Sequence, residues 1–199
     1  MSERSTVAVF DFDGTITTID TFRDFIIWHL GPFRFWVGMF VTSPLIALYL
    51  IGIVGNTSPK HAIFKLLYRN YPAAAFRAAC EEYAYRRLPS LIRPKALTKI
   101  CHHLCEGHRL FIASASLKDW IEPWASGAGF ERVIATNALI YNDRLTGDFS
   151  DSCCYGQLKV LRLKELGVSK DNSTLYAYGD SKGDRELLAI ADYKSYREF

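Results

Sequence analysis

The sequence predicts an α/β fold, in which a parallel sheet carries helices on both faces. Short apolar runs of the length of buried strands lie at residues 7–10, 110–113 and 174–178, and segments with helical periodicity separate them. A polar cluster follows each run. Because ligands of open α/β sheets bind at the carboxyl ends of the strands, we expect the three clusters to meet at one site. The 199 residues allow one such core with an insert, and a composition 49% hydrophobic and 23% charged excludes disordered and collagen-like chains.

The first part of the chain predicts a strand followed by helices. Residues 7–10 stop at Asp11, as expected of a buried strand that ends in a turn. Asp20 or Thr21 is expected to cap a helix that begins near Phe22, and the Gly-Pro pair at residues 31–32 to interrupt it. Further helices are predicted at residues 60–70, 73–87 and 91–106, after a loop at residues 56–59.

The second part predicts the alternation that completes the sheet. Strands are predicted at residues 110–113, 132–135 and 174–178, a hairpin at residues 138–141 and 145–149, and helices at residues 118–125, 157–166 and 184–191. We therefore expect a core made of residues 1–20 and 108–199, and a helical cap made of residues 21–107.

Four aspartates lie in the clusters after the first and last of the three apolar runs. Asp11 and Asp13 are separated by one residue and followed by Gly14, which lets the backbone turn so that both carboxylates face one cavity. Asp180 and Asp184 lie in a second acidic, glycine-containing loop. Carboxylates that converge without a cation raise one another's pKa, and Mg²⁺ favours carboxylate and carbonyl oxygens. These aspartates therefore predict a magnesium site.

A serine and a lysine complete the expected chemistry. Ser114 directly follows the second apolar run and offers a hydroxyl, beside the backbone amides around Ala115, to an anion; Ser116 is the alternative. Lys159 opens the helix before the strand at residues 174–178, and Lys164 is its alternative. An acidic metal site beside a serine and a lysine suits a phosphate group, and a carboxylate nucleophile can form an aspartyl-phosphate there.

The order of these residues resembles the four motifs of the haloacid dehalogenase (HAD) superfamily. The matching residues are Asp11-Phe12-Asp13-Gly14-Thr15, Ser114, Lys159, and Gly179-Asp180 with Asp184. The subgroup resembled is the phosphoserine phosphatase-like one (subfamily IB), which implies a Rossmann-like core with a helical cap between the first two motifs.

The resemblance implies a role for each matching residue. Asp11 would be the nucleophile, and Asp13 would protonate the leaving oxygen and then activate water. Mg²⁺ would be held by Asp11, the backbone carbonyl of Asp13 and Asp180, with Asp184 behind them. Ser114 and Lys159 would bind the phosphoryl group. Asp20 matches an acidic substrate-binding residue that is usually Glu in phosphoserine phosphatases, although we prefer to interpret it as a helix cap.

A run without charged residues or histidine extends over residues 35–55, which is the length of a membrane span. A single crossing would put Asp11 and Asp180 on opposite sides of the bilayer, so two interpretations stay open: the run packs inside the cap, or it lies in the membrane interface or re-enters it. We expect residues 42–44 (Thr-Ser-Pro) to break it. Residues 21–106 carry a net charge of +7 and the rest of the chain −4, which suits contact with an anionic membrane.

The predicted function is that of a Mg²⁺-dependent phosphomonoester phosphatase. The hydrophobic stretch early in the cap also resembles the phosphatidylglycerophosphatase C group, which implies a lipid phosphate as substrate. A small soluble phosphate such as phosphoserine is the alternative, as is transfer to another acceptor; a non-enzymatic membrane-binding module is disfavoured because all the core residues are present. The net charge of +3 does not indicate nucleic-acid binding. Five cysteines, interpreted as reduced thiols, predict a cytoplasmic protein, with attachment to the inner face of the membrane as an option.

A Cys/His cluster at residues 101–108 raises the question of a zinc site. On a helix, Cys101 and His108 would share a face with Leu97 and Leu104, whereas His103 would point elsewhere. Since four ligands do not converge, we interpret this segment as a half-buried helix.

Overall fold

The computed structural model describes residues 4–53, 57–150 and 154–199, and it shows an α/β fold around a five-stranded parallel sheet. The strands are β1 (Ser5–Phe10), β2 (Arg109–Leu117), β3 (Arg132–Thr136), β4 (Ala138–Tyr141), β5 (Arg144–Phe149), β6 (Ser173–Gly179) and β7 (Tyr193–Tyr196). The sheet order is β3-β2-β1-β6-β7, and β4 pairs with β5 as an antiparallel hairpin. The predicted fold class is confirmed. The central position of β1 places the residues that follow it between the ends of β2 and β6.

Among the described residues, five α-helices lie between β1 and β2, and three more follow. They are α1 (Thr21–Leu30), α2 (Pro32–Leu50), α3 (Thr57–Tyr68), α4 (Ala73–Glu82), α5 (Pro94–Cys105), α6 (Lys118–Gly127), α7 (Gln157–Glu165) and α8 (Arg185–Ile190). Helices α1–α5 form the helical insert, which we call the cap, and α6–α8 connect the strands of the core.

The two faces of the sheet bury different hydrophobic clusters. Along β1, Val7 and Val9 point into a cluster with α7 and α8, whereas Ala8 and Phe10 point into a larger cluster shared with the cap. In that larger cluster Phe25 of α1 stacks on Trp120 of α6, with ring centroids 4.6 Å apart. Burying an aromatic side chain of this size contributes roughly 1.5–3 kcal/mol, so this contact fixes the cap to the core.

The uncharged run forms a continuous helix, so the predicted break at residues 42–44 is wrong. Helix α2 passes through Pro44, whose ring lies on the exposed side. Proline removes one backbone hydrogen bond from a helix. Here the buried side of α2 packs on neighbouring helices and holds it together: Leu67 of α3 lies against Gly38, and the Thr42 hydroxyl donates to the Gly38 carbonyl at 2.8 Å.

The start of α3 differs from expectation, and the structure shows which side of α5 is buried. Helix α3 begins at Thr57, inside the predicted loop at residues 56–59, because Pro59 is tolerated in a first helical turn; Asn56 lies outside the described residues. In α5 the buried side chains are Ala96, Ile100 and His103, whereas Leu97 and Leu104 are exposed, so the helix is half-buried as predicted and His103 lies on a different face from the two leucines. The polar His103 is buried because it finds hydrogen-bond partners inside the protein.

Candidate active site

The polar clusters meet in a cavity of about 420 Å³ at the carboxyl ends of β1, β2 and β6. Asp11 follows β1, Ser114 lies in β2, and Asp180 follows β6. The other predicted residues that line the cavity are Asp13, Asp20, Ala115 and Lys159. Asp184 lies behind this lining, fully buried. The structure therefore brings together all the residues of the predicted active site.

A buried lysine bridges two of the aspartates. Lys159 Nζ donates to Asp11 Oδ1 and to Asp184 Oδ1, at 2.6 Å in each case. Burial alone would lower the pKa of Lys159, but the two carboxylates outweigh it and raise that pKa. Burial, only partly offset by Lys159, raises the pKa of Asp11 to about 7. The site thus holds a charged lysine directly against the candidate nucleophile. Lys164, the alternative, is exposed on α7.

The second aspartate of the first motif is held by the cap and by β2. Asp13 Oδ1 accepts hydrogen bonds from the backbone amide of Thr21 at 2.8 Å and from its hydroxyl at 2.6 Å. Asp13 Oδ2 accepts a hydrogen bond from the Ser116 hydroxyl. Burial and the neighbouring Asp20 raise the pKa of Asp13. The structure thus separates the two serines, because Ser116 binds Asp13 while Ser114 lines the cavity.

Gly14 is required by the turn that brings the two loops together. Its φ of +82° is one that other residues rarely adopt, and a Cβ there would collide with the carboxylate of Asp180. The glycine therefore permits both the turn after β1 and the close approach of the loop after β6.

Three carboxylates in this cavity could hold a cation. Oxygens of Asp11, Asp180 and Asp184 all lie within 4.8 Å of one another. Asp184 Oδ2 accepts hydrogen bonds from the amides of Asp180 and Ser181, so it is already satisfied. Asp180 Oδ1, in contrast, is buried and has no hydrogen-bond partner among the residues that the structure describes. Such an oxygen among carboxylates fits a hard divalent ion such as Mg²⁺.

The mouth of the cavity carries charges that the sequence did not single out. Asp20 caps α1 as expected, accepting from the Arg23 amide at 3.0 Å, and it also accepts from Lys60 Nζ at 2.7 Å. Burial would raise the pKa of Asp20, but Lys60 outweighs it and lowers that pKa. Lys60, Arg93 and Tyr155 also line the cavity. In the sequence, Lys60 and Arg93 contributed only to the net positive charge of the cap. Asp20 was the one residue at the cavity mouth that the sequence indicated.

Comparison with known proteins gives consistent matches over most of the chain. Residues 8–189 match the family model described as haloacid dehalogenase-like hydrolase. Protein CicA of Caulobacter vibrioides is 32% identical over 200 residues, which cover 100% of this chain and 89% of that protein. A probable phosphatase of Mycobacterium tuberculosis is 26% identical over 127 residues, 63% of this chain and 44% of that protein.

Solved structures show the same fold at low sequence identity. A protein of unknown function from Bordetella pertussis Tohama I superposes with a TM-score of 0.79 at 21% identity, covering 96% of this chain and 89% of that one. A substrate-bound phosphoserine phosphatase complex superposes with a TM-score of 0.66 at 14% identity, covering 98% of this chain and 87% of that one.

Proposed function

This chain belongs to the haloacid dehalogenase-like hydrolase family and is one of its phosphatases, and we propose that it hydrolyses phosphomonoesters through an aspartyl-phosphate on Asp11. The observation that carries the proposal is the position of Asp11. It lies buried in the cavity, against Lys159 and within the same lining as Ser114 and Asp13. A non-enzymatic module would not need this complete set of polar groups facing one cavity.

The reaction proceeds in two displacements on phosphorus. A carboxylate oxygen of Asp11 forms a bond to phosphorus as the ester P–O bond breaks, and Asp13 gives its proton to the departing alcohol oxygen. Asp13 then takes a proton from water, whose oxygen attacks the aspartyl-phosphate, and Asp11 leaves as a carboxylate. The hydrogen bonds from Thr21 and Ser116 hold Asp13 in place for both transfers. Lys159 and Ser114 position the phosphoryl oxygens.

Mg²⁺ fits the acidic end of the cavity. Asp11, the backbone carbonyl of Asp13 and Asp180 would hold it, and the unpartnered Asp180 Oδ1 supports this assignment. The ion supplies neutralising charge for the phosphoryl group. Asp184 stays bonded to Lys159 and to the loop amides, and it fixes the lysine that faces the substrate.

The substrate is proposed to carry its phosphate on an amphiphilic or lipid molecule such as phosphatidylglycerophosphate. In support, the cap that contributes Lys60 to the cavity also carries helix α2, whose Phe33 and Phe40 are exposed. A small soluble phosphate such as phosphoserine is the second candidate. The Asp20–Lys60 ion pair at the mouth favours it, since a zwitterionic ester can bind both charges.

Phosphate release with Mg²⁺ from a panel of esters tests these proposals. The panel contains phosphatidylglycerophosphate, phosphoserine, sugar phosphates and nucleotides, with Asp11→Asn as the blank. We expect release from at least one ester and the highest kcat/KM for the lipid. Preference for phosphoserine would overturn the lipid assignment, and no Mg²⁺-dependent release from any ester would overturn the activity. The localisation in the cytoplasm stays a prediction.

A further inference from the structure

Helix α2 presents an apolar surface that no part of the described structure covers. Its buried side consists of Phe35, Gly38 and Thr42. On the opposite side Phe33 and Phe40 are 80% and 81% exposed. We call this side the α2 outer face; its other large members are Trp36, Val37, Val41 and Leu50.

This surface is unlike that of an ordinary surface helix. A helix that faces water carries polar or charged side chains on its outer side. No charged residue occurs from Phe35 through Gly55, so α2 exposes aromatic and aliphatic groups over nearly its full length. A contiguous exposed apolar surface of this kind marks a site of interaction.

The charges around α2 indicate what covers it. The sequence contains no Asp or Glu between Asp24 and Glu81, whereas the same stretch contains five Lys or Arg. Arg34 is exposed on the first turn of α2. Arg69 is exposed two residues beyond Leu67, which packs on Gly38 in the first half of α2. Two copies meeting through this face would bring like charges together, whereas an anionic surface would be attracted.

The way α2 is held excludes a crossing of the bilayer. The helix has 19 residues and a mean hydropathy of 1.5, which by length and composition would suffice to span. However, Leu67 of α3 lies against Gly38, and Asp11 and Ser114, which precede and follow α2 in the sequence, line one cavity. A single crossing would separate these two residues, so α2 packs on the cap with its outer face free.

We propose that the α2 outer face docks on an anionic lipid bilayer, with the helix parallel to the membrane plane. Phe33, Trp36 and Phe40 enter the boundary between headgroups and acyl chains, and Arg34 contacts lipid phosphates. This inference goes beyond the proposed hydrolysis and does not depend on it, because docking involves none of the catalytic residues.

Flotation of the full chain with vesicles of neutral phosphatidylcholine, or of phosphatidylcholine mixed with phosphatidylglycerol, tests the docking surface. We expect binding to the anionic vesicles that weakens at high salt. The double variant Phe33→Gln/Phe40→Gln should lower the bound fraction about tenfold or more, because both rings lose their lipid contact. The matched control is Leu97→Gln, an exposed apolar residue on α5, which should bind like the wild type.

Several outcomes would overturn the proposal. These are absence of wild-type binding, equal binding to neutral and anionic vesicles, or full binding by the double variant. A wild-type dimer in sedimentation equilibrium that becomes monomeric in the double variant, without vesicle binding, would assign the face to a second copy instead. Circular dichroism and hydrolysis of a soluble aryl phosphate show that the variants are folded. Asp11→Asn should bind vesicles like the wild type, which separates failure of docking from failure of catalysis.

Discussion

The active-site cavity and the α2 outer face differ in the groups that they bury and expose. In the cavity, charged groups are buried and closely paired: Lys159 is 2% exposed and contacts two carboxylates. On α2, apolar rings are exposed, with Phe40 at 81%. Each arrangement is costly in isolation, because buried charge loses hydration and exposed apolar surface orders water. Buried charge is tolerated in the cavity because Lys159 and the two carboxylates are partners of one another, whereas no described residue covers the exposed rings of α2, which is why we propose that a membrane covers them.

The largest effect is expected at the nucleophile. Asp11→Asn removes the carboxylate that we propose bonds to phosphorus, and we expect kcat to fall at least about 10⁴-fold. Steady-state release of phosphate from an aryl phosphate measures it. Asp171→Asn, an exposed aspartate in a loop of the core, is the control and should keep wild-type activity. If Asp11→Asn retained activity, the assignment of Asp11 as the nucleophile would be wrong.

The acid–base residue should show a different kinetic signature. Asp13→Asn is expected to lower kcat about 10³-fold, because water is no longer activated. With an aryl phosphate, whose leaving group needs little protonation, the phosphorylated enzyme should accumulate and give a burst. Rapid-quench measurement of protein-bound phosphate detects it. Loss of rate with no bound phosphate would instead place Asp13 in the first displacement alone.

The contact between cap and core should weaken in acid. His103 of α5 is buried, with Nε2 2.8 Å from the Tyr178 hydroxyl of β6 and Nδ1 2.7 Å from His108 Nδ1. Burial and His108 lower the pKa of His103 to about 4 from 6.5. Between these values the unfolded chain binds a proton that the folded chain does not, so stability falls as pH drops from 6.5 to 4, by up to about 3 kcal/mol.

Urea unfolding across this pH range measures the loss. His103→Gln should flatten the pH dependence, whereas His102→Gln should reduce it only slightly, because the exposed His102 lowers the pKa of His103 less than burial and His108 do. A single transition throughout would show that the cap and the core unfold together. An unchanged slope in His103→Gln would contradict the assignment.

The smallest effect is expected at the cavity mouth. Asp20→Asn keeps a residue that caps helices well but removes the charge that pairs with Lys60, and Lys60→Met removes the other partner. We expect KM for a charged small ester to rise about tenfold with kcat within about twofold, since these groups contact the substrate away from phosphorus. A fall in kcat at constant KM would instead assign them to the chemical step.

The sequence predicted the core better than the cap, and particular residues show why. Asp11, Ser114 and Asp180 were found because short apolar strands end at recognisable polar clusters, and parallel strands bring their ends together. The local sequence pattern predicts where these strand ends meet, because few ways of connecting strands in an α/β sheet are allowed.

The errors fall in the cap and depend on tertiary contacts. Pro44 was expected to break a helix that packing keeps continuous, and the pattern of α5 did not indicate that His103 lies on its buried face. Lys60 and Arg93 reach the cavity only because α3 and the start of α5 are folded over it. No local pattern of residues indicates which of many basic side chains will face a distant carboxylate.

Thr21 links the two regions of the molecule at a single residue. It begins α1, its amide and hydroxyl hold Asp13, and its hydroxyl accepts a hydrogen bond from Trp120 Nε1 at 3.2 Å. A rotation of the cap about α1 would therefore shift the hydrogen bonds that Thr21 gives to Asp13, so the orientation of the cap and the position of the proposed acid depend on the same residue.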